Sequence, residues 1–255
     1  MWLQGSKGER RKVLDNAIIM GWSPDASKLA CIGGTFGKWK NFVFDIKTGQ
    51  TRTLPLPDFD HVCDWSADGK YLSVMSGRPD KTFKHPKFGD YPLRQIELIE
   101  TDSDVRRPMT INPSLDNLWA RFSPDGTKVA HYQREHRDGQ ILERSMIGDR
   151  DGSSTLVALS YNRLDENFHP KLEDRLFWDQ EGPACWSPDG KVVAWLVSNS
   201  KSLSPTEGRE RLSDVEQRKQ LKNFIVFTSS NGEIGKFIDL NALGLAYPGE
   251  IDWSK

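Results

Sequence analysis

No window of this chain approaches the roughly 18 consecutive apolar residues that a membrane-spanning helix needs. The N-terminal region also lacks the basic start, apolar run and small-residue cleavage site of an export signal. The expectation is a soluble chain with no membrane insertion, periplasmic only if an export signal lies upstream and cytoplasmic otherwise. Neither sign of charge is in excess, since 35 basic side chains stand against 36 acidic ones for a net charge of -1. Such a balance creates no field that favours nucleic acid. Cysteine is scarce: Cys31, Cys63 and Cys185 are far apart inside apolar runs, with no C-x-x-C spacing. Reduced core thiols are the expectation, with one disulfide plus a spare thiol, or a metal site, left open.

Catalytic templates are missing as well. The chain holds no G-x-S-x-G elbow, H-E-x-x-H, G-x-x-x-x-G-K-[ST] or G-x-G-x-x-G after a strand. The stretch from Gly33 to Lys38 is one residue too short for a phosphate loop and is followed by Trp39 rather than a hydroxyl residue. His61, His85, His131, His136 and His169 are scattered along the chain. No catalytic residue, metal or cofactor is therefore assigned.

What the chain does hold is a repeat. The strings GWSPDASKLACIGG (21–34), DWSADGKYLSVMSG (64–77), RFSPDGTKVAHYQR (121–134) and CWSPDGKVVAWLVS (185–198) share one template, and IDWSK (251–255) begins it again. The aromatics Trp22, Trp65, Phe122, Trp186 and Trp253 recur after 43, 57, 64 and 67 positions, so the unit grows along the chain. In each full copy Ser suits the first position of a type I turn, and in all but the second Pro presets the next. Asp25, Asp68, Asp125 and Asp189 follow, with Gly suited to the fourth position in all copies but the first. The turn joins a strand ending in the aromatic to a second strand of small, β-branched and aromatic residues, fit for burial on both faces.

A second hairpin follows in every interval: Asn41–Ile46 with Thr51–Leu54, Leu93–Ile99 with Asp104–Thr110, Ile141–Ile147 with Ser154–Leu159, and Asn223–Thr228 with Ile234–Ile238. Asn-Gly or Asp-Gly in the last two turns is a strong hairpin signal. Four strands per unit predict an all-β protein of four-stranded antiparallel blades, a β-propeller. The blades are expected at 17–54, 61–110, 117–159 and 182–239. The recurring aromatics should plug the seams between them, because no blade buries both faces alone.

The W-S-P-D-G-K template with its outer hairpin resembles the TolB-like propeller repeat, also called the WD40-like or PD40 repeat, over nearly the whole chain. The resemblance implies the fold. It leaves function open, since similar blades occur in periplasmic TolB proteins, in the gating propellers of prolyl oligopeptidase-like peptidases and in polysaccharide lyases. Ala26-Ser27, Ala67 and Phe122 depart from the pattern.

Residues 1–15 read as the outer hairpin of a partial blade and 249–255 as the first strand of a further one. Together they would lack a second strand, and an unpaired ladder suggests that 1–255 belongs to a longer propeller. Three insertions stand out: 77–92, rich in Lys and aromatics; 160–182, with Phe168, His169, Phe177, Trp178 and six acidic residues; and 199–222, where Glu210–Leu221 has helical character.

The expected function is a non-enzymatic scaffold whose loops bind a protein or saccharide partner. The alternatives are the propeller of a larger prolyl oligopeptidase-like hydrolase, and a lyase-like propeller in which His61, His131 or His169 converge in the channel. Candidate binding residues, taken from the innermost strands and the loops entering them, are His61, Asp64, Trp119, Arg121, Trp178, Glu181 and Asp252.

Overall fold

The computed structural model describes residues 2–4, 7–35, 38–85, 89–110, 112, 114–137, 140–160, 184–199, 222–240 and 242–243. A short antiparallel pair, β1 (Trp2–Gln4) and β2 (Arg10–Lys12), comes first. Four four-stranded antiparallel sheets follow in chain order. The first is β3 (Ala17–Trp22), β4 (Lys28–Thr35), β5 (Lys38–Asp45) and β6 (Thr51–Thr53). The second is β7 (His61–Trp65), β8 (Tyr71–His85), β9 (Gly89–Glu100) and β10 (Arg106–Pro108). The third is β11 (Leu115–Phe122), β12 (Lys128–Arg137), β13 (Gln140–Asp149) and β14 (Thr155–Ser160). The fourth is β15 (Cys185–Trp186), β16 (Val192–Asn199), β17 (Lys222–Ser229) and β18 (Ile234–Asp239). In each sheet the strands pair in the order in which the chain makes them.

The Ser-Pro-Asp-Gly corner is closed by its own side chains. Ser123 Oγ donates to Asp125 Oδ1 at 2.6 Å and accepts the Lys128 N–H at 2.9 Å, while Asp125 Oδ1 also accepts the Thr127 N–H. Ser23–Asp25, Ser66–Asp68 and Ser187–Asp189 repeat the arrangement. The backbone bond of the turn is present in all four, from the N–H of Ala26, Gly69, Gly126 or Gly190 to the Ser carbonyl. Those four residues have φ between 55° and 73°, which glycine adopts freely and Ala26 does not.

The second strands, Leu29–Ile32, Leu72–Met75, Val129–Tyr132 and Val193–Val197, are buried on both faces, which explains their continuous apolar runs. One core cluster runs through the second, third and fourth sheets, and another joins the first to the second. Trp65, Phe122 and Trp186 sit inside these clusters, as the repeat predicts. Trp22 does not: it is half-exposed, because no inner strands of another sheet cover β3 on that side among the described residues. Trp253 lies outside the described residues.

The segment 77–92, expected as a loop, is instead a continuation of β8 and β9. Pairing breaks between Arg78 and Thr82, where Pro79 has no N–H to give the ladder, and resumes from Thr82↔Pro92 to His85↔Gly89. The insertions 160–182 and 199–222, with the expected helix at Glu210–Leu221, fall almost wholly outside the described residues.

Candidate functional site: the inner strands and the loop-bearing face

The first strands of the first three sheets carry a bulge just before their aromatics. Register shifts fall between Ile19 and Gly21, between Val62 and Asp64, and between Leu118 and Arg121. A bulge bends the strand and re-aims its groups. The first strands also touch one another in turn, β3 with β7, β7 with β11 and β11 with β15. Residues just before the aromatics, Gly21, Asp64, Arg121 and Cys185, therefore occupy equivalent places on neighbouring strands.

Asp64 and Arg121 meet there. Arg121 Nη1 donates to the Met20 carbonyl and, at 2.9 Å, to the Cys63 carbonyl, and lies 3.5 Å from Asp64 Oδ1. Asp64 Oδ2 accepts the Phe122 N–H at 2.9 Å, and the Arg121 carbonyl accepts the Trp186 Nε1–H at 3.1 Å. Gly21 makes room: a Cβ at that position would stand 3.1 Å from Asp64 Oδ1. Burial pushes the Asp64 carboxyl above its ordinary range and the Arg121 guanidinium opposes that rise. One arginine thus ties three strands together, and what it binds are this chain's own carbonyls and carboxylate.

Trp119 is held in a left-handed conformation, φ 53°, and its N–H turns out of the sheet to Met75 Sδ at 3.2 Å. A bulky side chain there is backbone strain, of the kind that persists only where surrounding packing enforces it. Its half-buried ring packs on the core spanning the second to fourth sheets.

His61 opens β7, and its ring meets Trp39 edge-on, with centroids 5.9 Å apart. Burial, helped by the nearby Arg94 charge, lowers the His61 pKa to about 4, so the imidazole is neutral at pH 7. Around this end of the strands stand groups that spacing alone does not reveal. Asp60 Oδ2 accepts Arg106 Nη2 at 2.6 Å, its Oδ1 accepts the Gly77 N–H, and Arg106 Nε donates to Glu97. The wholly buried Asp116 accepts Arg94 through two guanidinium bonds and a backbone N–H. Asn41 bridges the first and second sheets by donating to the Asp60 carbonyl and accepting the Val62 N–H. Trp178, Glu181 and Asp252 lie outside the described residues. Among the described residues no three of His, Cys, Asp and Glu are grouped as a metal ion would require, and His131 is buried within β12.

Antiparallel order puts the chain's connections on two opposite faces. First-to-second and third-to-fourth strand turns share one face; second-to-third turns and sheet-to-sheet crossings share the other. The first face holds only tight corners, closed by bonds such as Thr48 N–H to Asp45 Oδ1 and Ser153 N–H to Asp151 Oδ1. The second face receives the extended β8–β9 arm, and on it lie the strand ends at Ser160, Asn199 and Lys222 and the start of β15 that flank the two long connections. His61, Trp39 and Asp60 sit at strand ends on this second face, and Arg94, near where the β8–β9 arm leaves the sheet, meets Asp116 at the start of β11.

No family model matches the chain, and no curated protein does. Solved structures match by shape. TolB from Acinetobacter baumannii superposes with a TM-score of 0.63 at 16% identity, over 93% of this chain and 48% of that one. The tricorn protease gives 0.51 at 9% identity, over 92% of this chain and 23% of that one. Hydrazine synthase of Kuenenia stuttgartiensis gives 0.50 at 18% identity, over 86% and 52%. The chain spans about half or less of each of these. The fold is that of a β-propeller, structurally similar to TolB. Its company includes enzymes, so the fold does not by itself decide for or against catalysis.

Proposed function

We propose that this chain is a non-enzymatic binding scaffold which takes a protein or saccharide partner on its loop-bearing face. The observation that carries this reading is where the repeat grows: every large insertion between equivalent strands enters on one face, while the opposite face keeps self-closed corners. In repeat architectures, insertions confined to one face mark a recognition surface built on a rigid frame. Trp39 and His61 offer an aromatic edge and a neutral imidazole at strand ends on the same face. Of the other candidates, Asp64 and Arg121 serve the frame, because their bonding is directed at each other and at strand carbonyls.

The test replaces 161–183 and 200–221, separately, by Gly-Ser segments of equal length. Each variant is assayed on a glycan array and, with purified binders, by calorimetry, beside a control changed at Lys47 and Thr48 on the closed face. Binding should fall with the loop replacements and persist in the control. Unaltered binding in both loop variants, or turnover of a bound saccharide by the chain alone, would refute the reading.

A further inference from the structure

The seam between the second and third sheets gathers sulfur and imidazole. Tyr132 of β12 packs edge-on to Trp195 of the fourth sheet, with centroids 5.5 Å apart, so its neighbour His131 faces the other way, toward the second sheet. Met146 is the partner of His131 on β13 and shares its face. Two residues on, that face touches the second sheet, since a Cβ at Gly148 would stand 3.2 Å from Met109 Cε. From the second sheet, Met75 Sδ accepts the Trp119 N–H at 3.2 Å, and the bulge in β11 sets Trp119 and Ala120 opposite His131. The Cys63 thiol lies against the backbone N–H groups of Ala120 and Met75. Cys63, Met75, His131 and Met146 are all buried.

Packing alone does not call for these residue types. The equivalent places in the seam between the third and fourth sheets hold Ala120, Tyr132, Trp195 and Val226, and those between the first and second hold Met20, Ile32, Val74 and Glu97. Sulfur and imidazole fill all four places in one seam only. His131 is the most telling of them, because neither of its buried ring nitrogens has a hydrogen-bond partner among the described residues. A buried polar atom costs free energy unless a donor or a cation takes its lone pair. Burial keeps this ring neutral by lowering its pKa to about 4, so one nitrogen presents a lone pair at pH 7.

We propose that Cys63, Met75, His131 and Met146 form a binding site for a soft monovalent cation, Cu(I). The donor set selects the metal: thiolate and thioether sulfur favour Cu(I), whereas magnesium and calcium require oxygen. The site needs no third His, Cys, Asp or Glu, because thioethers supply half of its donors. Burial holds the Cys63 thiol protonated, with its pKa pushed up to about 11. As the Cu–S bond forms, that proton leaves to solvent, and the thiolate then neutralises the cation inside an apolar seam. The site lies within the frame and is independent of the recognition proposed for the loop-bearing face.

The probe is Cu(I) itself, given to the whole chain as its acetonitrile complex under argon in competition with a chromophoric Cu(I) chelator. It is added both to the folded chain and during refolding from urea, so that burial of the seam does not bar entry. One Cu(I) per chain is expected by native mass spectrometry, with X-ray absorption dominated by sulfur, release of one proton at pH 7 and a raised Tm. Met75→Leu and, separately, Met146→Leu conserve volume and should stay folded while weakening Cu(I) binding about tenfold or more. Cys185→Ser, which removes a thiol of the fourth sheet, should bind as the parent chain does. Failure of the parent to retain Cu(I), binding indifferent to both methionine substitutions, or loss of binding in Cys185→Ser overturns the inference.

Discussion

At the scale of single residues, the recurring corner shows how little chain is needed to fix a hairpin. Each Ser hydroxyl both donates to the Asp and accepts the N–H that opens the next strand, so Ser123→Ala leaves the Lys128 N–H without its partner. About 1 kcal/mol of stability should be lost, read as a lower urea midpoint. Ala26 holds the position where the other copies have Gly, at φ 55°. Ala26→Gly should raise stability by about 0.5–1 kcal/mol, the relief of a left-handed Ala outweighing the added freedom of the unfolded chain. A lower Tm would mean that the turn is not strained there.

Titration belongs to the same scale. Asp25 is lowered to about 2, chiefly by the Ser23 hydroxyl and then by the Ser27 N–H, and Asp125 and Asp189 are lowered by the same bonds. A depressed carboxylate contributes stability above its unfolded pKa and loses it as pH falls through the folded value, so the corners weaken between about pH 4 and pH 2. Buried His131 acts higher up. Burial lowers its pKa to about 4, and neither ring nitrogen has a hydrogen-bond partner among the described residues. The unfolded imidazole takes up a proton near its ordinary pKa of about 6.5, so stability is complete above that pH and falls toward pH 4 by up to about 1.4 kcal/mol per pH unit. His131→Leu should remove about half of this limb in chemical denaturation followed across pH, with His61, lowered to about 4 as well, carrying the rest. A slope unchanged from the parent chain would show that His131 is not its source.

At the scale of the element, the seam aromatics were assigned one role from their spacing, and three have it. Trp65→Ala should cost about 3–5 kcal/mol through a core cavity. Trp22→Ala should cost about 1 kcal/mol or less in the chain studied, because half of that ring is already in water. Guanidinium denaturation of the two variants side by side measures the difference, and equal losses would contradict the seam geometry. Arg121 ties three first strands together, so Arg121→Met should cost about 3–5 kcal/mol by leaving Asp64 buried without its cation. The long β8–β9 arm shows the limit of reading elements locally. The lysines and aromatics of 77–92 mark an insertion, yet Thr82–His85 pairs with Gly89–Pro92 once the ladder has passed Pro79.

At the scale of the whole molecule, the division into a sealed face and a loop-bearing face follows from strand order alone, and under the proposed function it separates stability from recognition. Replacing 161–183 or 200–221 should therefore leave the cooperative unfolding transition in place while altering binding. Replacing the 23–27 corner should do the reverse. The bonds that tie one sheet to another are long-range: Arg52 reaches Asp104 across 52 positions, Arg150 reaches Asp68 across 82, and Arg121 reaches the Met20 carbonyl across 101.

The sequence by itself determined the repeat, the strand order inside each sheet, the Ser-Asp corners and the apolar second strands. These rest on contacts between near neighbours and on a period that recurs, so side-chain type and spacing suffice. Only the tertiary structure decided that Asp64 and Arg121 satisfy one another, that Asp60, Arg94 and Asp116 belong to the same end of the strands as His61, and that Trp22 is open while its counterparts are closed. Each of those facts depends on which sheet stands beside which. The neighbour of a residue across a seam is set by the stacking of whole sheets, about which its own local pattern is silent.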